Sequence, residues 1–368
     1  MRKVLHYKTN FLNKSETFID RLIRNHQNYN PVVMCFRKRA YTDGLRIHEL
    51  PKLGFKSKVN HAAFHLNLSL PWFRKTIMLE KPDLIHTHFG YDSYKLLSIS
   101  NKTGIPLVTS FYGSDVSRLP MEWGWIKRYQ KLAVYGAAFI AASDFMKKQL
   151  VGLGFPEHKI SIVRFGLNTA EFKYFEGNRD LTSIMMVGRL VEKKGFMYGI
   201  KAVSNLINKG RIITLNIFGD GPMMNSLQKF VRELNIQHLV HFHGFQPLEY
   251  IEQEMEKHGL LLAPSITASD GDMEGLPNTV LEAMAKGTIV VSSRHAAIPE
   301  AIIHGQSGFL TDEKNVNGIA EIIESVLDNN YDINKIRQLA RETIEKNYTI
   351  ETMVSGVENI YSSILSKS

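Results

Sequence analysis

The chain has 368 residues, 44% hydrophobic and 22% charged, with a single cysteine and a formal net charge of +9. Those values describe a folded soluble protein long enough for two domains and exclude an internal disulfide. The charge is uneven: residues 1–150 hold 24 Lys and Arg against 10 Asp and Glu, whereas residues 151–368 hold 21 against 26.

The opening Met-Arg-Lys-Val-Leu-His-Tyr turns polar at once, which argues against a secretory leader and for the cytoplasm. Short apolar runs then alternate with helix-length amphipathic segments, the pattern of parallel sheets with crossover helices. Strands are expected at Val4–Tyr7, Val32–Phe36, Leu84–Thr87, Leu107–Phe111, Ala138–Ala142 and Ile160–Arg164. Cys35, in the apolar run Pro31–Phe36, reads as buried filler rather than a nucleophile. Asn13–Ile19 should open the first helix, with Ser15 as its cap. His86 and His88 set two imidazoles on one strand face, with no third ligand evident, and His88 ends its strand where a cleft is expected. The longest nearly apolar stretch, Leu132–Ala142, is too short to span a bilayer.

Several basic clusters in this half interleave aromatic residues: Trp72-Phe73-Arg74-Lys75 and Trp123-Gly124-Trp125-Ile126-Lys127-Arg128-Tyr129, beside Arg37-Lys38-Arg39. Without a nucleic-acid recognition motif, the better partner is an anionic membrane surface, where each Lys or Arg contributes roughly 1 kcal/mol. The location expected is the inner face of the plasma membrane.

Gly166–Leu181, polar and aromatic, reads as a linker. Beyond it, strands are expected at Ser183–Val187, Thr214–Phe218, Val240–His243, Leu260–Ala263 and Ile289–Val291. His241 and His243 repeat the His-x-His pattern and read as packed strand residues. The tail after Tyr348 reads as a helix (Met353, Val357, Ile360, Tyr361, Ile364). The expected architecture is α/β: two doubly wound domains, residues 1–168 and 180–347, facing each other across a cleft. No G-x-G-x-x-G follows a strand and no P-loop occurs, which disfavours a dehydrogenase or a P-loop nucleotidase.

The most informative segment is 264–293. A strand runs into a polar loop, then a helix from about Pro277 to Lys286, closed by Gly287. The helix start directs free N–H groups, with about half a positive charge, at whatever the loop holds. Glu274 and Glu282 stand in E-x7-E spacing across it, on the order of 12 Å if helical. Carboxylates at both ends of an anion site suit a ligand with phosphate in the middle and hydroxyls at its ends. Gly188 ends a strand, Arg189 can fork two N–H bonds onto phosphate, and Lys194 adds a compact charge, with Lys193 as the alternative.

This spacing, with Glu-Gly-Leu-Pro-Asn before the helix, resembles the signature of family 4 retaining glycosyltransferases, two-domain enzymes of the GT-B type. Val-Gly-Arg-Leu-Val-Glu-Lys-Lys-Gly (187–195), Phe-Gly-Asp-Gly-Pro (218–222), Phe-His-Gly-Phe (242–245) and Phe-Gly-Leu-Asn (165–168) are similar to the family's further motifs, in its order. The resemblance implies that Arg189 and Lys194 bind the diphosphate and that Glu282 accepts from the ribose. It also implies that Glu274 holds donor-sugar hydroxyls and acts with Arg189 and Lys194 in catalysis. Gly275, Leu276, Pro277, Asn278 and Thr279 would supply backbone contacts, Gly188 and Gly221 close approach, and Phe245 the base contact. Residues 348–368 would cross back onto the first domain.

Asp270-Gly271-Asp272 spells the metal motif of the other large glycosyltransferase fold, but its place before Glu274 fits an acidic loop, and no metal or cofactor is expected. On the acceptor side, Ser15-Glu16-Thr17-Phe18-Ile19 looks like the version in members that build bacterial exopolysaccharide or lipopolysaccharide. Ser15, Glu16, His88 and Ser143 are candidates there. Tyr112 stands where many relatives have a His that contacts the donor sugar, a departure that rules out a role for a titrating imidazole at that position.

The function implied is retaining transfer of a hexose from a nucleoside diphosphate sugar to a growing, lipid-linked or oligosaccharide, bacterial surface glycan. Uridine is the commoner base in this branch and guanosine stays open. A sugar-nucleotide epimerase or phosphorylase of the same fold and a non-catalytic nucleotide-sugar-binding protein are the alternatives.

Overall fold

A computed structural model describes residues 1–11, 16–38, 43–50 and 71–366. The chain divides into two compact units, Met1–Gly166 with Ile350–Ser368, and Leu167–Thr349.

The first unit holds strands β1 (Arg2–Phe11), β2 (Tyr29–Lys38), β3 (Ile47–Glu49), β4 (Leu84–His88), β5 (Leu107–Phe111), β6 (Ala138–Ala141) and β7 (Ile160–Ile162). They form one parallel sheet in the order β3-β2-β1-β4-β5-β6-β7. A parallel sheet covered by helices on both faces needs nearly continuous apolar strands. β4 meets this with Leu84 and Ile85, then buries His86, Thr87 and His88 as well. Polar side chains at buried strand positions must find partners, and they mark where chemistry is concentrated.

The second unit holds β8 (Asp180–Val187), β9 (Thr214–Phe218), β10 (Val240–Gly244), β11 (His258–Ala263), β12 (Ile289–Ser293) and β13 (Phe309–Thr311), again parallel, in the order β10-β9-β8-β11-β12-β13. Its core gathers Ile184, Met186, Leu215, Ile217, Leu260, Leu262 and Val291 beneath Phe196, Ile200 and Ile323 of the covering helices. Each unit is thus a Rossmann-like doubly wound sheet, and the fold class is GT-B α/β.

The carboxyl-terminal helix Ile350–Leu365 belongs to the first unit. Its face of Ile350, Met353, Val354, Val357 and Tyr361 packs with Val4, Leu84, Val108 and Ile140.

All eleven expected strands occur, most a residue or more longer than their apolar runs. Among the described residues β3 and β13 are the two additions; with one and two apolar residues they carry too little pattern to register. The helix after Glu274 spans Asn278–Lys286. Pro277 precedes it as the extended capping residue (φ −63°, ψ 129°) rather than lying in its first turn, and Gly287 ends it at φ 74°. Ser15 lies outside the described residues, so its capping role does too; the helix it was expected to open runs Thr17–Arg24.

Candidate functional site

In an open doubly wound sheet, the crevice for a ligand opens at the carboxyl ends of the strands where the strand order reverses. That point lies between β8 and β11 in the second unit and between β1 and β4 in the first.

In the second unit, Gly188 and Arg189 leave the end of β8, and one tight turn, Glu192–Lys194, carries both lysines. Gly195 makes the turn possible. Its φ is 69°, and a Cβ there would lie 1.9 Å from the Pro264 carbonyl oxygen at the end of β11. Lys194 Nζ stands 3.1 Å from Glu274 Oε2, and Lys193 Nζ 3.5 Å from Glu274 Oε1. The two lysines therefore share Glu274. Burial raises the carboxyl's pKa, but the two ammonium groups outweigh it and hold Glu274 below the usual carboxylate range.

A second residue fixes Glu274 from behind. Its backbone N–H donates to His295 Nε2 (3.1 Å), and His295 Nδ1 lies 2.6 Å from Glu313 Oε1. Because an N–H can only donate, Nε2 is the lone-pair nitrogen and Nδ1 carries the proton toward Glu313. His295 is fully buried. Neither His295 nor Glu313 is evident from sequence motifs. Their only signal is position, since both follow strands (β12 and β13) whose ends face the same crevice.

Helix Asn278–Lys286 begins beside this group with no side-chain cap, so no side chain takes up its first N–H groups, although Val280 N–H bonds the Pro277 oxygen at 3.0 Å. Lys194, Pro277 and Thr279 line a small cavity with Ser265, Val187 and Ala263. Ser265 is buried, and its Oγ has no hydrogen-bond partner among the described residues. An unsatisfied hydroxyl, an ammonium group and an uncapped helix start around one cavity fit an anion. Leu276 is buried and Glu282 lies one turn into the helix, 4% exposed. Gly219 closes the floor: a Cβ there would meet the Gly188 oxygen at 1.9 Å. Gly221 abuts Leu190 of the Arg189 loop in the same way. Phe245 follows β10 with 53% of its surface exposed, next to Gly244, whose oxygen accepts from Gly219 N–H at 2.7 Å. Asp272 pairs with Lys193 at 3.1 Å. His243 stacks on Phe218 and bonds Asn216 at 2.9 Å, but both it and His241 are exposed on β10 rather than packed in the core.

In the first unit, Tyr112 leaves the end of β5. Asp115 holds this loop by accepting from the N–H groups of Tyr112, Gly113 and Gly90 (3.1, 2.9 and 3.1 Å). The Tyr112 hydroxyl meets His88 Nδ1 at 2.7 Å, and burial, partly offset by the Ser110 hydroxyl, raises its pKa. Glu16 occupies the position before helix Thr17–Arg24 without a side-chain capping bond and lies 3.6 Å from Lys8 Nζ. Lys8, which the motifs did not mark, is buried at the end of β1, 3.7 Å from Asp92 and 2.6 Å from the Tyr91 hydroxyl. Beside it, burial pushes the Lys95 ammonium down to about 8. Ser143 accepts from Met146 N–H at 3.0 Å and caps helix Asp144–Gly152. That bond gives Ser143 a structural task.

A third imidazole does stand by His86 and His88. His6 pairs in register with His86 across β1 and β4, and one ring nitrogen of each lies within 4.8 Å of the others, a set able to hold a divalent cation. The membrane clusters also divide. Phe73, Trp125 and Tyr129 are core residues, whereas Trp123 is 95% exposed.

The model for "Glycosyl transferases group 1" matches residues 170–346, and that for "Glycosyltransferase Family 4" matches residues 16–171. The amylovoran biosynthesis glycosyltransferase AmsK of Erwinia amylovora is 32% identical over 72% of this chain and 66% of its own length. The putative colanic acid biosynthesis glycosyltransferase WcaL of Escherichia coli K12 is 30% identical over 73% and 67%. The chain belongs to the family 4 glycosyltransferases. It spans about two thirds of the length of these curated relatives. Among solved structures, Anabaena Alr3699/HepE in complex with UDP and glucose superposes with a TM-score of 0.80 at 18% identity, over 99% of this chain and 100% of that one. A glycosyltransferase from Rickettsia africae gives 0.78 at 18%, over 100% and 99%. At such identity the likeness shows the fold. No helix among the described residues is long and apolar enough to cross a membrane.

Proposed function

We propose that this chain transfers a hexosyl group from a nucleoside diphosphate sugar, with retention, onto a growing bacterial surface glycan. The observation that carries the reading is the anion site of the second unit: Lys194 on Glu274, beside an uncapped helix start and the unpartnered Ser265 hydroxyl.

Breaking the sugar–phosphate bond leaves an oxocarbenium-like sugar and a diphosphate of growing charge. Arg189, Lys194 and the helix start would stabilise that leaving group, the preorganised electrostatics that often contributes most to rate. Glu274 would hold sugar hydroxyls and Glu282 the ribose. Double displacement by two carboxylates requires a pair about 5 Å apart astride the sugar. With Glu274 and Glu282 at opposite ends of the donor, the reading is a front-side displacement in which a phosphate oxygen helps deprotonate the acceptor. The names of AmsK, an amylovoran biosynthesis glycosyltransferase, and WcaL, a putative colanic acid biosynthesis glycosyltransferase, support a glycan acceptor. The UDP-glucose complex of the Anabaena protein supports uridine as the base.

The membrane reading gains support from exposed apolar groups beside basic ones. Trp123 and Met121 (70% exposed) precede helix Trp125–Tyr135 with Lys127, Arg128 and Lys131. Met78 and Leu79 share helix Pro71–Glu80 with exposed Arg74 and Lys75. The reading predicts salt-sensitive binding to phosphatidylglycerol vesicles that Trp123→Ser weakens, measured by co-sedimentation. Equal binding to phosphatidylcholine would point to another cause.

The deciding experiment is thermal shift against UDP, GDP and their sugars, with and without EDTA. A hundredfold excess over Kd stabilises by about 2.7 kcal/mol. One nucleotide and its sugar should raise Tm independently of metal, and Lys194→Ala should abolish the rise. Product release from the bound donor in the presence of glycan acceptors then separates transfer from epimerisation, phosphorolysis or binding alone.

A further inference from the structure

A run of hydrogen-bonding groups crosses the interior of the first unit and ends on Tyr112. Glu358 of the carboxyl-terminal helix accepts through Oε1 from the N–H groups of Gln27 (2.8 Å) and Asn28 (3.1 Å), and His26 Nδ1 lies 3.1 Å from the same oxygen. His26 Nε2 lies 3.1 Å from His6 Nε2, His6 Nδ1 lies 3.1 Å from His88 Nε2, and His88 Nδ1 meets the Tyr112 hydroxyl at 2.7 Å. All five residues belong to one unit, and His6 and His88 are fully buried.

The direction of every bond in this run follows from its acidic end. His6 and His88 are buried, and the partners of their ring nitrogens are imidazoles and the Tyr112 hydroxyl, so a charge on either would stand buried and unpaired. Burial lowers the pKa of both, and at His26 it outweighs Glu358. Burial raises the Glu358 carboxyl, but its N–H donors prevail and keep it ionised. A carboxylate only accepts, and a neutral imidazole has one N–H and one lone pair. His26 therefore donates from Nδ1 to Glu358, and His6 donates from Nε2 to His26. His88 in turn donates from Nε2 to His6, which leaves His88 Nδ1 as an acceptor facing Tyr112. Reversing the last bond would set two lone pairs against each other between His88 and His6 at 3.1 Å, too close for a water to stand between them. The Ser110 hydroxyl, 2.7 Å from His86 Nε2, also lies by Tyr112. As a rotor that both donates and accepts, it adapts to this order without changing it.

We propose that Glu358, His26, His6 and His88 are positioning residues that commit the Tyr112 proton inward, so that Tyr112 offers a ligand only an acceptor oxygen. This rests on the proposed transferase reading, with Tyr112 on the sugar side of the first unit's own crevice. There it would select a sugar with a free hydroxyl at the facing position, whereas a histidine in its place can either donate or accept.

The test is the tautomer of each histidine in the full chain, read by ¹⁵N NMR with labelled histidine at neutral pH and assigned by single His→Gln substitutions. The proton is expected on Nδ1 of His26 and on Nε2 of His6 and His88, with none of the three an imidazolium. Glu358→Gln, which keeps the shape and removes the charge, should mix the tautomers and give His88 an Nδ1–H signal. A native His88 protonated at Nδ1, or tautomers unchanged in Glu358→Gln, would overturn the proposal. So would equimolar Zn²⁺ moving the His6, His86 and His88 resonances together, which would make the cluster a metal site. These readouts need no donor, so they stand or fall apart from the transferase reading. If both hold, replacing one ring hydroxyl of a sugar ligand by fluorine, which cannot donate, should weaken binding about tenfold, and Tyr112→Phe should remove the difference.

Discussion

Single residues decide how the anion site is charged. Lys194 and Lys193 both reach Glu274, so their roles separate only by substitution. Lys194→Ala is expected to lower kcat by about 10²–10³-fold, the usual cost of removing one preorganised donor. Lys193→Ala, which loses a contact shared with Asp272 and the Met273 carbonyl, should cost less. Steady-state transfer with Tm measured alongside checks both, and equal losses would show that the two ammonium groups act as a unit. His295→Ala leaves the Glu274 N–H without its acceptor and removes the imidazole from Glu313, which keeps Thr267. It should lower stability by about 1–3 kcal/mol and transfer with it, measured by urea unfolding and kcat. Lys194, Glu274 and Arg189 are readable in the sequence because their chemistry is local to short motifs. His295 is not, since its meaning lies in a hydrogen bond to a residue 21 positions earlier.

At the scale of elements, the strands were legible wherever an apolar run of three or more residues stood between polar loops, because a doubly covered parallel strand has to be apolar. The edge strands Ile47–Glu49 and Phe309–Thr311 were not, for want of length. The junction of the Glu192–Lys194 turn with β11 depends on Gly195. Gly195→Ala forces a side chain into a left-handed φ of 69° and onto the Pro264 carbonyl oxygen. It should lower Tm by several degrees and weaken nucleotide binding with it, checked by calorimetry with and without UDP. Ser143→Ala removes a helix cap and should cost about 1 kcal/mol in the first unit, with nucleotide binding unchanged. Loss of binding would return Ser143 to the list of ligand contacts.

Across the whole molecule, the two units should respond differently to acid. His6, His26, His86 and His88, all in the first unit, have pKa values lowered chiefly by burial. A histidine lowered in the folded state contributes stability above its unfolded pKa of about 6.5 and loses it as pH falls toward the folded value. Each such group removes up to about 1.4 kcal/mol per pH unit across that window. The carboxylates Glu274 and Glu313 of the second unit, held low by their partners, act only below about 4.5. Amide exchange should therefore lose protection in β1, β4 and the carboxyl-terminal helix first, between pH 6.5 and 5. Simultaneous loss in both units would contradict this. By itself the sequence determined the class of fold and the family and nominated the charged residues of the proposed anion site, because hydrophobic period and short loops carry that information locally. Only the tertiary structure decided that His6 joins His86 and His88, that Glu358 stands behind His26, and that His295 braces Glu274. Each of those contacts depends on strand register or on a helix returning from the far end of the chain, and no local pattern encodes either.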